Sequence, residues 1–369
     1  MLLPSTLKHL RTIRSVSWPN VLHCAFTLPL DYLLAAGTTR SLVNITLELT
    51  YRCNMNCDFC MLKNETRRSA ARELRFPDLK ALVDQVQPAG LGFFITGGEP
   101  FLHPDCTELI EYIKKTRLKC GINTNGLLLT PPVADRLLAA GTDYVIISLH
   151  DADVTHKHTI REDAFKRVTS NLRYLAGKKS WTSLLVNSVI SPTTLDCMTD
   201  MVDSAADCQV DAITFQHMRF LTPKNINDLH TIWSQTGGDA PLSYNLMDQK
   251  DFDLAKIEKQ VARAKERAAK RDISIFFKPN LDSKGLHTWY KGDGLIGRHC
   301  LYLYTDVRIN PAGDVHGCQF IQQKMGNIRE QPLPDIINNE KYRKFRQAFR
   351  QADTLLPACG RCCKLYRTL

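Results

Sequence analysis

No stretch of this 369-residue chain approaches about twenty uninterrupted apolar residues, so no segment is expected to cross a membrane as a helix. The N-terminus also lacks a continuous apolar run ending in a small-residue cleavage site, which argues against a secretory signal. Acidic residues are scarce: 38 Asp and Glu face 48 Lys and Arg, a net charge of +10. The basic excess is not interleaved with aromatic residues, so nucleic acid is a poor fit as partner. The chain is long enough to build its own core, and its 13 cysteines are not needed to staple a small secreted fold. They call for another explanation, and a reducing cytoplasm is the expected location.

Cys53, Cys57 and Cys60 stand at C-x3-C-x2-C spacing directly after an alternating apolar segment, Val43, Ile45, Leu47 and Leu49. Three thiolates can hold three irons of a cubane and leave the fourth open to an external ligand. A zinc knuckle or three unrelated core cysteines are the plain alternatives. Downstream, a strand-like run from Leu91 to Ile95 opens into Thr96-Gly97-Gly98-Glu99-Pro100. Two glycines let backbone approach a ligand closely, and a carboxylate such as that of Glu99 can accept from an ammonium group.

Together these motifs resemble the radical S-adenosylmethionine (SAM) family. The resemblance implies a partial (β/α)6 barrel whose first strand is followed by the cysteine loop. It makes Cys53, Cys57 and Cys60 the ligands of a [4Fe–4S] cluster, with Phe59 at the aromatic position, and lets the amino and carboxylate groups of SAM chelate the open iron. It assigns Gly97, Gly98, Glu99 and Pro100 to the SAM amino group.

Further apolar runs each end in polar residues and lead into a helix pattern. Lys119 to Asn123 leads to Thr124-Asn125-Gly126, and Tyr144 to Ile147 leads to Ser148-Leu149-His150-Asp151. Ser183 to Val186 leads to Asn187, and Ala212 to Phe215 leads to Gln216-His217-Met218. Such alternation predicts an α/β fold with a parallel sheet and its chemistry at the C-terminal strand ends. By resemblance Ser148 bonds the SAM ribose, and Asn187 or Met218 lies near ribose or adenine. Thr124 and Asn125 match a position that faces substrate in relatives, although an ordinary Asn-Gly turn explains them too; Asn125 is also a candidate cofactor contact. The candidate substrate contacts are Thr124, Arg161, His217, Arg219, Trp289 and Tyr290, from strand-end position or nearness to the second cysteine group. For Arg161 the plain reading is a solvated helix-start charge, and for Trp289 and Tyr290, with His287, a surface loop.

That second group is Cys300, twelve residues, Gly313, four residues, Cys318, then the distant Cys359-Gly360-Arg361-Cys362-Cys363. The segment from Leu301 reads as a hairpin turning at Asn310-Pro311-Ala312-Gly313-Asp314, which would set Cys300 beside Cys318. The pattern resembles the twitch/SPASM auxiliary-cluster extension, nearest to the twitch form of the aminocyclitol (2-deoxy-scyllo-inosamine) dehydrogenase. It implies one auxiliary iron–sulfur cluster, most simply [4Fe–4S], on Cys300, Cys318, Cys359 and either Cys362 or Cys363. Zinc accepts the same four thiolates on geometry. The remaining Cys24, Cys106, Cys120, Cys197 and Cys208 lack metal spacing and read as core residues.

The expected organisation is an N-terminal extension at 1–40, a barrel at 41–235, a charged bridge at 236–295 and an auxiliary-cluster region of β-hairpin and helix at 296–369. In the extension, Leu3, Leu7, Leu10 and Ile13 with Lys8, Arg11 and Arg14 form a basic amphipathic pattern, followed by an apolar stretch from Val21 to Ala36 interrupted by Pro29. Residues 1–20 either pack on the barrel or touch an acidic membrane surface peripherally. Residues 341–369 hold eight basic side chains against Asp353 alone, suited to offset a cluster's charge or to dock an acidic flavodoxin or ferredoxin as reductant. By resemblance, reductive cleavage of SAM yields a 5′-deoxyadenosyl radical, hydrogen is taken from a C–H bond, and the auxiliary cluster accepts the electron left on the substrate. The expected function is a radical SAM oxidoreductase or cyclase acting on a small biosynthetic or natural-product substrate. The alternatives are a maturase that crosslinks or epimerises a ribosomal peptide, and a non-catalytic iron–sulfur or zinc protein.

Overall fold

The computed structural model describes residues 18–62, 73–150, 162–236, 245–292, 294–350 and 355–365; Arg161, the stretch from Leu3 to Arg14 and Arg367 lie outside them. Seven strands run parallel in sequence order: β1 (Asn44–Thr50), β2 (Gly92–Gly97), β3 (Cys120–Thr124), β4 (Tyr144–Ser148), β5 (Ser183–Ile190), β6 (Ala212–His217) and β7 (Ser274–Lys278). On the other side of β1 lies β8 (Asp306–Ile309), parallel to it, followed by antiparallel β9 (Asp314–His316) and β10 (Lys324–Asn327). The ten strands form one sheet in the order β10-β9-β8-β1-β2-β3-β4-β5-β6-β7. Each of the first six is followed by at least one helix, as parallel crossovers require. Because β7 ends the sheet without pairing to β8, the barrel is partial.

Strand side chains alternate with period two. Ile45, Leu47, Phe93, Ile95, Val145, Ile147, Ile213 and Phe215 are almost fully buried and form the core shared with the surrounding helices. The opposite parity, including Thr46, Glu48, Thr96, Ser148, Asn187, Thr214 and Gln216, lines a central cavity. One face of the sheet therefore builds stability and the other builds the site.

The expected bridge helix is present as Leu254–Lys270, with the Asp253 carboxylate accepting from Lys256 N at its start. The expected hairpin is β8 and β9, but a helical turn, Tyr302–Thr305, replaces its first residues. Pro29 does not interrupt the N-terminal apolar stretch: a single helix, Trp18–Leu33, runs through it. Asp31 anchors that helix by accepting from Arg40 N at 2.6 Å, Ser41 N at 3.0 Å and Ser41 Oγ at 2.7 Å. Leu22, Phe26, Leu30, Leu33 and Leu34 remain exposed. His287, Trp289 and Tyr290 do not form a surface loop. They belong to the helix Ser283–Tyr290, in which Trp289 and Tyr290 are fully buried. Cys106, Cys120, Cys197 and Cys208 are core residues as expected, whereas Cys24 is half-buried. Among the described residues no helix is long and apolar enough to cross a membrane.

Candidate active site

The cavity at the C-terminal strand ends measures about 800 Å³, within the range of cofactor sites. One wall is the loop after β1, presenting Cys53, Cys57, Phe59 and Cys60. That loop is tied down at several points. Arg52 makes a two-pronged ion pair with Glu73 (Nε to Oε1 3.2 Å, Nη2 to Oε2 2.9 Å), Asn125 Nδ2 donates to Asn54 Oδ1 at 2.7 Å, and Asn245 Nδ2 donates to Phe59 O at 2.8 Å. The Phe59 ring meets His150 edge-on, with centroids 4.5 Å apart. His150 accepts from Val189 N through Nδ1, and burial pulls its pKa down to about 3, so it is a neutral ring at physiological pH.

Gly97 and Gly98 line the cavity beside this loop. Their backbone is bonded to it, Gly98 N to Thr50 O at 2.7 Å and Glu99 N to Arg52 O at 2.8 Å. A Cβ on Gly98 would sit 2.2 Å from Arg52 O, and one on Gly97, at φ +128°, 2.3 Å from Thr50 O. The two glycines therefore serve the contact between two loops as well as access for a ligand.

Asn125, Ser148, Asn187, Met218 and Arg219 also line the cavity. Ser148 Oγ donates to Asn123 Oδ1 at 3.3 Å. Other expected contacts are placed elsewhere. The Glu99 side chain is fully buried off the cavity and accepts from Thr124 Oγ1 at 2.7 Å, Asn125 N at 2.8 Å and Phe101 N at 3.2 Å. Burial raises its pKa despite these bonds. It braces the turn after β3, and Thr124, its donor, is buried with it rather than facing a substrate; Pro100 is likewise buried. His217 shares the parity of Ile213 and Phe215, so it points into the core, where Nδ1 bonds Tyr290 Oη at 2.8 Å. Trp289 Nε1 donates to Met218 O at 2.9 Å. His217, Trp289 and Tyr290 thus form a buried support behind β6, not a substrate wall.

Cys300, Cys318, Cys359 and Cys362 gather at the far side. Burial raises the pKa of each, neighbouring members of the same four raise it further in Cys300 and Cys359, and in Cys362 the adjacent Cys363 does so first, followed by Cys300 and Cys318. N–H donors reach two of the sulfurs: Phe320 N donates to Cys318 Sγ at 3.3 Å and Gln319 Nε2 to Cys362 Sγ at 3.7 Å. Bonds of this kind are ones that the thiolate ligands of an iron–sulfur cluster accept. Cys363 instead lines the cavity. The same cavity is lined by residues that the sequence pattern did not single out: Glu48 on β1, ion-paired with Arg308 of β8, and Lys278 at the end of β7. Desolvation, and then the nearby Lys364 and Arg219 charges, pull the Lys278 ammonium below its usual range.

Residues 47–205 match the family model described as Radical SAM superfamily, and residues 300–363 match an iron–sulfur cluster-binding domain, SPASM. The chain is a radical SAM enzyme with an auxiliary iron–sulfur domain. The enzyme takes SAM and a [4Fe–4S] cluster in the first domain and auxiliary iron–sulfur in the second. It is 28% identical over 332 residues to an AdoMet-dependent heme synthase of Methanosarcina barkeri, covering 86% of this chain and 87% of that one. It is 26% identical over 313 residues to a PqqA peptide cyclase of Xanthomonas axonopodis pv. citri, covering 82% and 76%. Among solved structures, Streptococcus suis SuiB bound to S-adenosylmethionine shares the fold of this radical SAM enzyme at a TM-score of 0.60 and 18% identity, over 83% of this chain and 68% of that one.

Proposed function

We propose that this enzyme is a radical SAM oxidoreductase that takes hydrogen from a C–H bond of a small biosynthetic or natural-product substrate and passes the remaining electron to the auxiliary cluster. The observation that carries this reading is one cavity lined both by the Cys53/Cys57/Cys60 loop and by Cys363, next in sequence to the buried Cys362 of the second cysteine group. When bound, SAM and the first cluster would supply the radical chemistry needed to reach an unactivated C–H bond. The chain's own part is placement and exclusion of water. Gly97, Gly98, Ser148, Asn187 and Met218 bound the side that takes SAM, and Leu185, Phe276 and Phe277 present apolar surface nearby. In this reading Cys362 completes the auxiliary ligands and Cys363 does not. An acidic flavodoxin or ferredoxin is the proposed reductant, in keeping with the basic C-terminal region.

The second reading is a peptide maturase. The similarity to a PqqA peptide cyclase, across 82% of this chain, favours it. Anaerobic incubation of the reconstituted enzyme with SAM and dithionite should release 5′-deoxyadenosine and methionine, and a Cys57→Ala variant should release neither. Absence of both products from loaded wild type would refute the radical reading. Binding of a precursor peptide with micromolar affinity would move the assignment to the maturase.

A further inference from the structure

The N-terminal helix Trp18–Leu33 is seated the wrong way round for a surface helix, which ordinarily turns its apolar stripe inward. Its polar side chains are the ones that hold it to the rest of the chain. Asn20 Nδ2 donates to Gly90 O at 3.0 Å, His23 Nε2 lies 2.8 Å from Arg40 O, Thr27 Oγ1 lies 2.7 Å from Ser41 Oγ, and Tyr32 Oη donates to Arg350 O at 2.6 Å. Asp31, the one acid of the helix, is buried and accepts from Arg40 and Ser41. These bonds fix the rotation of the helix, and the face left outside is apolar. Leu22, Phe26, Leu30 and Leu33 recur there at helical spacing, with Leu34 just beyond; Phe26 is 77% and Leu34 76% exposed. Five of the eight exposed large apolar side chains among the described residues fall in this stretch, so they form a patch rather than the usual scatter, and such a patch marks an interaction site.

The charge around the stripe selects the partner. At its C-terminal end the helix Glu340–Ala348 and its flank pack on residues 33–37, with Gln347 Nε2 donating to Ala36 O at 2.7 Å, Arg346 Nη1 to Gly37 O at 3.0 Å and Arg350 Nη2 to Leu33 O. That helix exposes Lys341, Arg343 and Lys344 against Glu340, which pairs with Lys344 at 2.7 Å. In sequence, residues 1–40 and 335–353 together hold nine Lys and Arg against four acids, Asp31, Asp335, Glu340 and Asp353, and Asp31 is paired with Arg40. An apolar stripe with a cationic border fits a layer that is apolar within and negative at its surface. A second copy of the chain would instead set two cationic borders face to face.

We propose that this face docks on the surface of an anionic lipid bilayer. Leu22, Phe26, Leu30, Leu33 and Leu34 enter the acyl boundary, and the basic residues around them meet the headgroups. The contact lies on the bilayer and does not span it, because sixteen helical residues are shorter than the hydrocarbon core and Asp31 is held inside the protein. Leu3, Leu7, Leu10 and Ile13, interspersed with Lys8, Arg11 and Arg14, continue the same combination of apolar and basic positions in the preceding sequence.

Co-sedimentation of the anaerobically reconstituted enzyme with phosphatidylcholine vesicles, with and without phosphatidylglycerol, tests this. Binding should be tenfold or more tighter where phosphatidylglycerol is present, and added salt should weaken it. A Phe26→Ser/Leu30→Ser variant should lose tenfold or more in vesicle affinity while keeping its iron and its formation of 5′-deoxyadenosine, and Phe26→Leu should bind as wild type does. No binding of wild type to either vesicle, equal binding to both, or unchanged binding of the double serine variant would overturn the proposal. So would two further results that name another occupant. A dimer in sedimentation velocity that the serine variant splits, without vesicle binding, would give the stripe to a second copy; vesicle binding seen only after removal of residues 1–17 would give it to that segment. The comparison of the two vesicles needs no variant, so a misfolded mutant cannot decide it.

Discussion

His217 and Met218 are neighbours in sequence with opposite fates. Met218 lines the cavity, whereas His217 is buried behind β6 against Tyr290. The deciding signal is parity: Ile213 and Phe215 mark the face that packs on helices, and His217 is two residues further along the same face. That signal was present in the sequence, but strand-end position alone does not use it. Burial pulls the His217 pKa to about 3, against an ordinary 6.5. Between those values the unfolded chain binds a proton there and the folded chain does not, so stability is full above about pH 6.5 and falls as pH drops. The slope is about 1.4 kcal/mol per pH unit for each such histidine, and His150 behaves in the same way. Denaturant titrations at pH 7.0 and 5.5 should show wild type losing roughly 1 kcal/mol more than His217→Gln on acidification. Parallel losses would mean that His217 is not held neutral. By contrast, the three cysteines and two glycines of the first site were legible residue by residue, because metal spacing and close backbone approach each demand one residue type. Lys278, Arg308 and Glu48 were not, because only the fold brings such distant positions into one cavity.

Short elements carry most of the second site, and two buried arginines hold them. The turn Pro357–Arg361 bears Cys359, and Arg361 fastens it to the barrel, with Nε donating to Trp289 O at 2.8 Å, Nη1 to Asn225 Oδ1 at 2.9 Å and Nη2 to Gly292 O at 3.0 Å. Its guanidinium lies 4.3 Å from the Phe220 ring centroid. Arg346 does the same for the helix Glu340–Ala348, donating to Leu303 O at 2.7 Å, Gly37 O at 3.0 Å and Ile337 O at 2.7 Å. Two of the basic residues that give the C-terminus its charge are thus interior clamps rather than a docking surface. Net charge per segment cannot separate those roles, and the helix containing Trp289 and Tyr290 was misread for a related reason: a short helix capped by Asp282 looks like loop until its buried face is known. Replacing Arg361 with Met keeps the apolar stem but leaves three acceptors without their donor. The expected cost is on the order of 3 kcal/mol, since each unpaired buried group costs about 1–3 kcal/mol and relaxation recovers part. The auxiliary cysteines should also drift. Thermal unfolding and iron analysis of Arg361→Met should show lower stability and selective loss of auxiliary iron, and full retention of both clusters would argue against the clamp.

At the scale of the molecule, the sheet joins the two cysteine groups. β8 adds to β1 in parallel, pairing Asn44 with Asp306, so the strand entering the first cysteine loop also anchors the second region. No local pattern announces a pairing between segments 262 residues apart, and the order of β1 to β6 was legible because each follows its predecessor through a helix. The shared strand could make the clusters interdependent in assembly. The contacts argue otherwise, because Cys318 and Cys362 take N–H donors from Phe320 and Gln319, and the second region takes its clamps from Arg346 and Arg361. The first loop depends instead on Glu73, Asn125 and Asn245. A variant with Cys53, Cys57 and Cys60 all changed to Ala should therefore keep the auxiliary cluster while losing the SAM-binding one. Iron and sulfide analysis with Mössbauer spectra should fall from about eight irons per chain to about four, and 5′-deoxyadenosine formation should vanish. Loss of all iron would show that β1 couples the two sites during loading. A wild type holding about four irons, all lost in the variant, with zinc in the tail, would make the C-terminal cysteines a structural clasp and remove the electron acceptor from the proposed reaction.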